Sequence, residues 1–151
     1  MPQSLAQIYT HLIFSTKKRQ RWFQDQTLND QLITYMWGTL RNMGCPLLSI
    51  GVPEDHVHLL FCMNRTDSIA DVVGRLKAAS SSWMSERPGD YYGFSWQNGY
   101  GAFSVSASGV EEVESYIANQ IEHHKTLSFK DEYRRFLEKY NLAYDERYVW
   151  D

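Results

Sequence analysis

The sequence predicts an α+β protein of the ferredoxin-like type: a βαββαβ antiparallel sheet with helices on one face, followed by a C-terminal tyrosine-bearing helix. Three observations predict it. Segments of two-residue alternation and segments of helical spacing succeed one another in the order strand, helix, strand, strand, helix, strand, helix. At 151 residues, 43% hydrophobic and 22% charged, the chain can bury a core without disulfide staples. No internal repeat, low-complexity tract or Pro/Gly/Ser linker interrupts it, so residues 1–151 read as one domain.

From Ile8 to Thr16, Leu12 and Phe14 alternate with His11, Ile13 and Ser15, the pattern of a strand with two unlike faces. A helix is expected from about Asp25, because Leu28, Leu32, Tyr35, Met36, Leu40 and Met43 recur at helical spacing before Gly44. Leu47–Val52 and His56–Met63 read as a hairpin of two strands joined across Pro53-Glu54-Asp55. Asp67 or Ser68 can cap a second helix, whose core stripe is Ile69, Val72, Val73, Leu76 and Trp83. A loop rich in Gly and aromatics runs from Pro88 to about Gly101, after which Phe103 and Val105 mark a fourth strand. Ser108 is expected to cap a third helix from Val110 to about His124. Helices on one sheet face leave the other free, and a free face is where a site can be built.

Composition excludes several classes. The N-terminus lacks the basic start and apolar run of a signal peptide, and Leu59-Leu60-Phe61-Cys62-Met63 is far too short to span a bilayer. Cys45 and Cys62 allow at most one bridge, so a soluble intracellular protein with reduced thiols and no membrane partner is expected. The net charge of −3 disfavours a purely electrostatic DNA binder. That average hides a split: residues 1–109 carry nine Lys/Arg against eight Asp/Glu, and residues 110–151 carry six against ten. Lys17, Lys18, Arg19 and Arg21 fall within five positions, directly before Trp22 and Phe23. Rings beside cations suit exposed bases, and a solvated loop gives the same pattern.

The chemistry-bearing residues start with His56-Val57-His58. Residues two apart on a strand point the same way, so both imidazoles share one face while Val57, Leu59 and Phe61 share the other. Paired neutral imidazoles make half of a first-row metal site, although two half-buried histidines without a ligand read alike. On the third helix, Val113, Ile117, Ile121 and His124 form a packing stripe. Tyr116, Gln120 and His123 form a second stripe roughly a quarter-turn away. Two histidines and a carboxamide oxygen can hold Mg²⁺ or Mn²⁺ and leave positions open for a phosphate. A tyrosine one turn from the glutamine is placed to attack that phosphate, and a phenol needs a cation's help to do so at neutral pH.

His56-Val57-His58 followed by the spacing Tyr116-x-x-x-Gln120 resembles the HUH single-tyrosine transposases of bacterial insertion sequences, small enzymes that move single-stranded DNA. The segments Tyr9–Lys17, Asp55–Leu60, Trp96–Ser106, Tyr116–His124 and Tyr144–Trp150 are similar to the same family, in order, over nearly the whole chain. The resemblance implies that His56 and His58 bind the divalent metal with Gln120 as third ligand. It implies that Tyr116 attacks a DNA phosphate, leaving a 5′-phosphotyrosine link and a free 3′-OH that later rejoins strands. It further implies DNA hairpins at the element ends as substrate and a bacterial cytoplasmic location. The family acts as a homodimer, in which the tyrosine helix can complete the partner's metal site. An exchange of phosphodiesters needs no nucleotide cofactor, and no Gly-x-x-x-x-Gly-Lys phosphate loop occurs in the chain.

Other residues have less specific signals. His11 lies on the same strand face as Ile13 and Ser15, where it can orient a metal ligand or touch phosphate. His123 can serve proton transfer to the leaving 3′-oxygen. Lys17, Lys18, Arg19, Arg21, Arg75 and Lys77 are the expected DNA contacts, and Tyr140, Tyr144, Tyr148 and Trp150 are expected to anchor the tail on the core or a partner. Three other readings stand beside the transposase: a non-catalytic single-stranded nucleic-acid-binding module, a metal-dependent phosphoesterase using water, and a relative retained to nick host DNA.

Overall fold

The computed structural model describes residues 2–120 and 127–151. Its strands are β1 (Tyr9–Ser15), β2 (Leu47–Gly51), β3 (His56–Cys62) and β4 (Gly101–Val105), and its helices α1 (Gln26–Asn42), α2 (Ile69–Ser85), α3 (Val110–Ala118) and α4 (Phe129–Lys139). The strands form one antiparallel sheet in the order β2-β3-β1-β4, so the two central strands are β1 and the His-x-His strand β3. Their register sets Ser15 against His56 and Ile13 against His58. The expected α+β arrangement is therefore observed.

Local chemistry fixes where the helices begin. The Asp25 carboxylate accepts from the Thr27 amide at 2.9 Å and starts α1, and Gly44, at φ +70°, turns the chain out of it. Ser68 accepts from the Asp71 amide at 3.1 Å and starts α2; Ser128 does the same for Asp131 and starts α4. The third helix departs from expectation. A 3-10 turn, Ala107–Gly109, precedes it, and Ser108 shares a hydrogen bond with Ser106 instead of capping. The helix also ends at Ala118, where Asn119 (φ −98°, ψ 15°) leaves the helical region, and Gln120 is helical again. Ile121, His123 and His124 lie outside the described residues.

One sheet face carries the main core. Leu12, Phe14, Val57, Leu59 and Phe61 pack against Leu32, Met36 and Leu40 of α1 and Val72, Val73 and Leu76 of α2. The opposite face is not free, as the sequence pattern suggested. Helix α4 lies on it and buries Phe129, Tyr133 and Leu137 against Ile13 and Phe103, forming a second core. Tyr140 and Trp150 pack on that core, whereas Tyr148 is largely exposed. Among the described residues, no helix is long and apolar enough to cross a membrane, and neither Cys45 nor Cys62 is bridged.

Candidate functional site

The two-residue period of β3 places His56 and His58 on the α4 face, and both are fully buried. Each is held by its Nδ1. His56 Nδ1 lies 2.7 Å from the Asp55 carboxylate, and His58 Nδ1 shares a 2.9 Å hydrogen bond with His11 Nε2 on the neighbouring strand. Their Nε2 atoms turn toward one acceptor, Glu132 on α4. Its Oε1 stands 2.9 Å from His58 Nε2 and 3.3 Å from His56 Nε2, and its Oε2 accepts from the Tyr116 hydroxyl. Glu132 is 1% exposed, so it is a buried carboxylate compensated by imidazoles and a phenol rather than by water. One donor atom from each of His56, His58 and Glu132 lies within 4.8 Å of the others.

These neighbours shift the protonation of His11, His56 and Tyr116. Burial, reinforced by His58, drives His11 down to about 3, so it is a neutral imidazole. Burial would also lower His56, but hydrogen bonds and charge from Asp55 and Glu132 outweigh it and raise it above the ordinary value. Burial and the Glu132 carboxylate push the Tyr116 phenol well above its ordinary range, while the Gln120 amide and the Arg135 charge oppose them. The tyrosine therefore rests protonated, with its proton aimed at a carboxylate.

The structure brings together His11, His56, His58 and Tyr116 of a single chain, with the Tyr116 and His58 rings 5.7 Å apart. Gln120 is buried beside them; its amide donates to the Tyr116 carbonyl at 3.2 Å, and it packs by Gly51, the cross-strand neighbour of His58. His123 lies outside the described residues. The basic candidates divide. Lys17 and Lys18 are exposed at the corner that follows β1, close to the His56 end of the sheet. Arg19 donates to the Trp150 carbonyl, and Arg21 and Arg75 lie near Glu54 and Asp67. Lys77 is half-buried: its ammonium donates to the carbonyls of Gln97, Asn98 and Gly99 and lies over the Phe14 ring.

The sequence reading missed Glu132. Its segment, Phe129-Lys-Asp-Glu-Tyr-Arg-Arg-Phe-Leu-Glu-Lys139, is rich enough in charge to pass for a solvated helix. The available signal was position. Glu132 falls inside the apolar stripe Phe129, Tyr133, Phe136 and Leu137, where a carboxylate needs a partner.

Comparison with known proteins agrees with this geometry. The sequence matches the family described as Transposase IS200 like over residues 4–120. The structure is similar to that of a candidate transposase from Deinococcus radiodurans R1, with 28% identity and a TM-score of 0.61 over 80% of this chain and 96% of that one. It is also similar in fold to a REP-associated tyrosine transposase bound to a REP hairpin, with 11% identity and a TM-score of 0.59 over 84% of this chain and 76% of that one. No curated protein matches the chain. The family match takes in the whole sheet, the paired histidines, Tyr116 and Gln120, and on it the chain belongs to the IS200-like transposases.

Proposed function

We propose that this transposase cleaves and rejoins single-stranded DNA through a 5′-phosphotyrosine intermediate, with Tyr116 as nucleophile and Mg²⁺ or Mn²⁺ as cofactor. The observation that carries this reading is the convergence of His56 Nε2, His58 Nε2 and the Tyr116 hydroxyl on one buried carboxylate, Glu132. The donor set suits a divalent ion: two imidazole nitrogens and a carboxylate oxygen, with both Nδ1 atoms already engaged so that both Nε2 atoms face inward. Gln120 is proposed as a further ligand through its amide oxygen. When bound, the metal supplies Lewis-acid polarisation of the phosphodiester and neutralises developing charge.

The remaining work falls to side chains. Tyr116 Oη forms the bond to phosphorus as the bond from phosphorus to the 3′-oxygen breaks, so one phosphodiester replaces another. Glu132 Oε2, already accepting from the phenol, takes its proton as the nucleophile commits, and that proton passes on through solvent to the leaving 3′-oxygen, which becomes a 3′-OH while Glu132 returns to the carboxylate. Holding the phenol protonated until attack confines its reactivity to bound substrate. The reverse reaction joins the 3′-OH of a second strand to the phosphotyrosine. Hairpins at the element ends are the proposed substrate, supported by the hairpin bound to the fold relative. A homodimer is part of the proposal, although Tyr116 reaches the histidines of its own chain.

The test uses end-labelled oligonucleotides carrying hairpins from the DNA that flanks the gene. With Mg²⁺ or Mn²⁺ the protein should give a denaturation-resistant protein–DNA band. EDTA and Tyr116→Phe should each abolish it. Cleavage that persists in Tyr116→Phe would assign the nucleophile to water instead.

A further inference from the structure

We infer that the cleft between α3 and α4 holds a nucleotide of the single-stranded substrate beside the scissile phosphate, with Arg135 and Lys139 on a phosphate and Phe136 and Tyr140 against a base. The inference rests on the reading of Tyr116 as nucleophile. The cleft measures about 400 Å³, within the size range of small-ligand sites, and its floor is the catalytic cluster itself: His11, Tyr116 and Glu132. Tyr116 is thus part of the wall that an occupant of the cleft would meet.

Its α4 wall has the two features that single strands need. Phe136 and Tyr140 both stack on Phe103, at centroid distances of 5.5 and 4.7 Å, which fixes their rings while leaving them half-exposed in the cleft. Rings held this way accept bases without regard to sequence. The cations of α4 are not equivalent. Arg134 is tied to Asp131 and Glu146, and Lys130 lies over the Trp150 ring at 5.1 Å. Arg135 and Lys139, one turn apart, are exposed, line the cleft and make no ion pair among the described residues, and Lys139 lies over the Tyr140 ring at 5.7 Å. Arg135 lines the same cleft as Tyr116. Glu112 on the α3 wall repels phosphate and so assigns the backbone to Arg135 and Lys139 on the α4 side, with the base on Phe136 and Tyr140 of the same wall.

The inference is tested by equilibrium binding in EDTA, where no chemistry occurs, with fluorescent hairpin oligonucleotides and with dT20. Both cations are exposed, so Arg135→Gln/Lys139→Gln should melt like the parent. Its affinity should fall about tenfold, and the slope of log affinity against log salt should flatten by about 1.4, roughly 0.7 per lost phosphate contact on single strands. Glu112→Gln should tighten binding. A neutral methylphosphonate flanking the cleavage position should erase the difference between parent and double variant. Unchanged affinity and slope in the double variant would overturn the inference. So would equal competition by free dTMP, which would make the cleft a mononucleotide site. A parent that shows this charge-dependent binding but no Tyr116-dependent adduct would sink the proposed chemistry and leave the cleft as a strand-binding site.

Discussion

Glu132 meets two demands with two oxygens, one facing the Nε2 atoms of His56 and His58 and the other accepting the Tyr116 proton. Glu132→Gln keeps the shape but loses the charge and the basic oxygen. It should lower adduct formation about 100- to 10,000-fold, the usual range for a lost acid–base group, and weaken Mn²⁺ binding by calorimetry. An active Glu132→Gln protein would remove Glu132 from the chemistry. His11 makes a second prediction at this level. Its folded pKa is about 3 against an ordinary 6.5, so below pH 6.5 the unfolded chain takes up a proton that the folded chain refuses. That refusal costs about 2 kcal/mol of stability by pH 5 and is absent above neutral pH. In chelator, denaturant melts of the parent should therefore lose about that much more stability between pH 7 and pH 5 than melts of His11→Gln. Equal losses would contradict the burial argument. His56, shifted the opposite way, contributes to both proteins and cancels in the comparison.

At the level of elements, two glycines let helices approach the sheet closely enough to build the site. A Cβ on Gly51 would stand 3.0 Å from the Ile117 carbonyl and 3.1 Å from its Cγ2, and a Cβ on Gly101 would stand 2.7 Å from the Tyr133 ring. Gly51 thus sets the seat of α3, and Gly101 that of α4. Gly51→Ala should push α3 off β2, cost about 1–3 kcal/mol and displace Tyr116, so adduct formation should drop more steeply than DNA binding. Equal losses of both would mean that the seat of α3 does not position the nucleophile. The strands and the first two helices were legible because alternation, caps and Gly44 all agreed. The His-x-His face was legible because strand period alone decides it. Helix α4 was not, since charged residues diluted its apolar stripe, and with it went Glu132, 74 residues from His58. The break after Ala118 was not legible because hydrophobic spacing continues across it while the backbone turns at Asn119.

In the whole molecule, Tyr116, His56, His58 and Glu132 meet within one chain, although they come from α3, β3 and α4. Mixing Tyr116→Phe protein with His58→Ala protein should therefore leave adduct formation absent. Restored activity in the mixture would mean that tyrosine helices exchange between subunits. The engagements of the basic side chains were not legible, because net charge and local clusters say nothing about where side chains turn. Lys77 is committed to three carbonyls of its own chain, while Arg135 and Lys139, in the acidic C-terminal part, line the cleft beside Tyr116. The most direct measurement is mass spectrometry of the protease-digested adduct formed with a hairpin oligonucleotide and Mn²⁺. The account predicts a nucleotide mass on the peptide bearing Tyr116, localised to that residue by fragmentation. The same mass on any other side chain would contradict it.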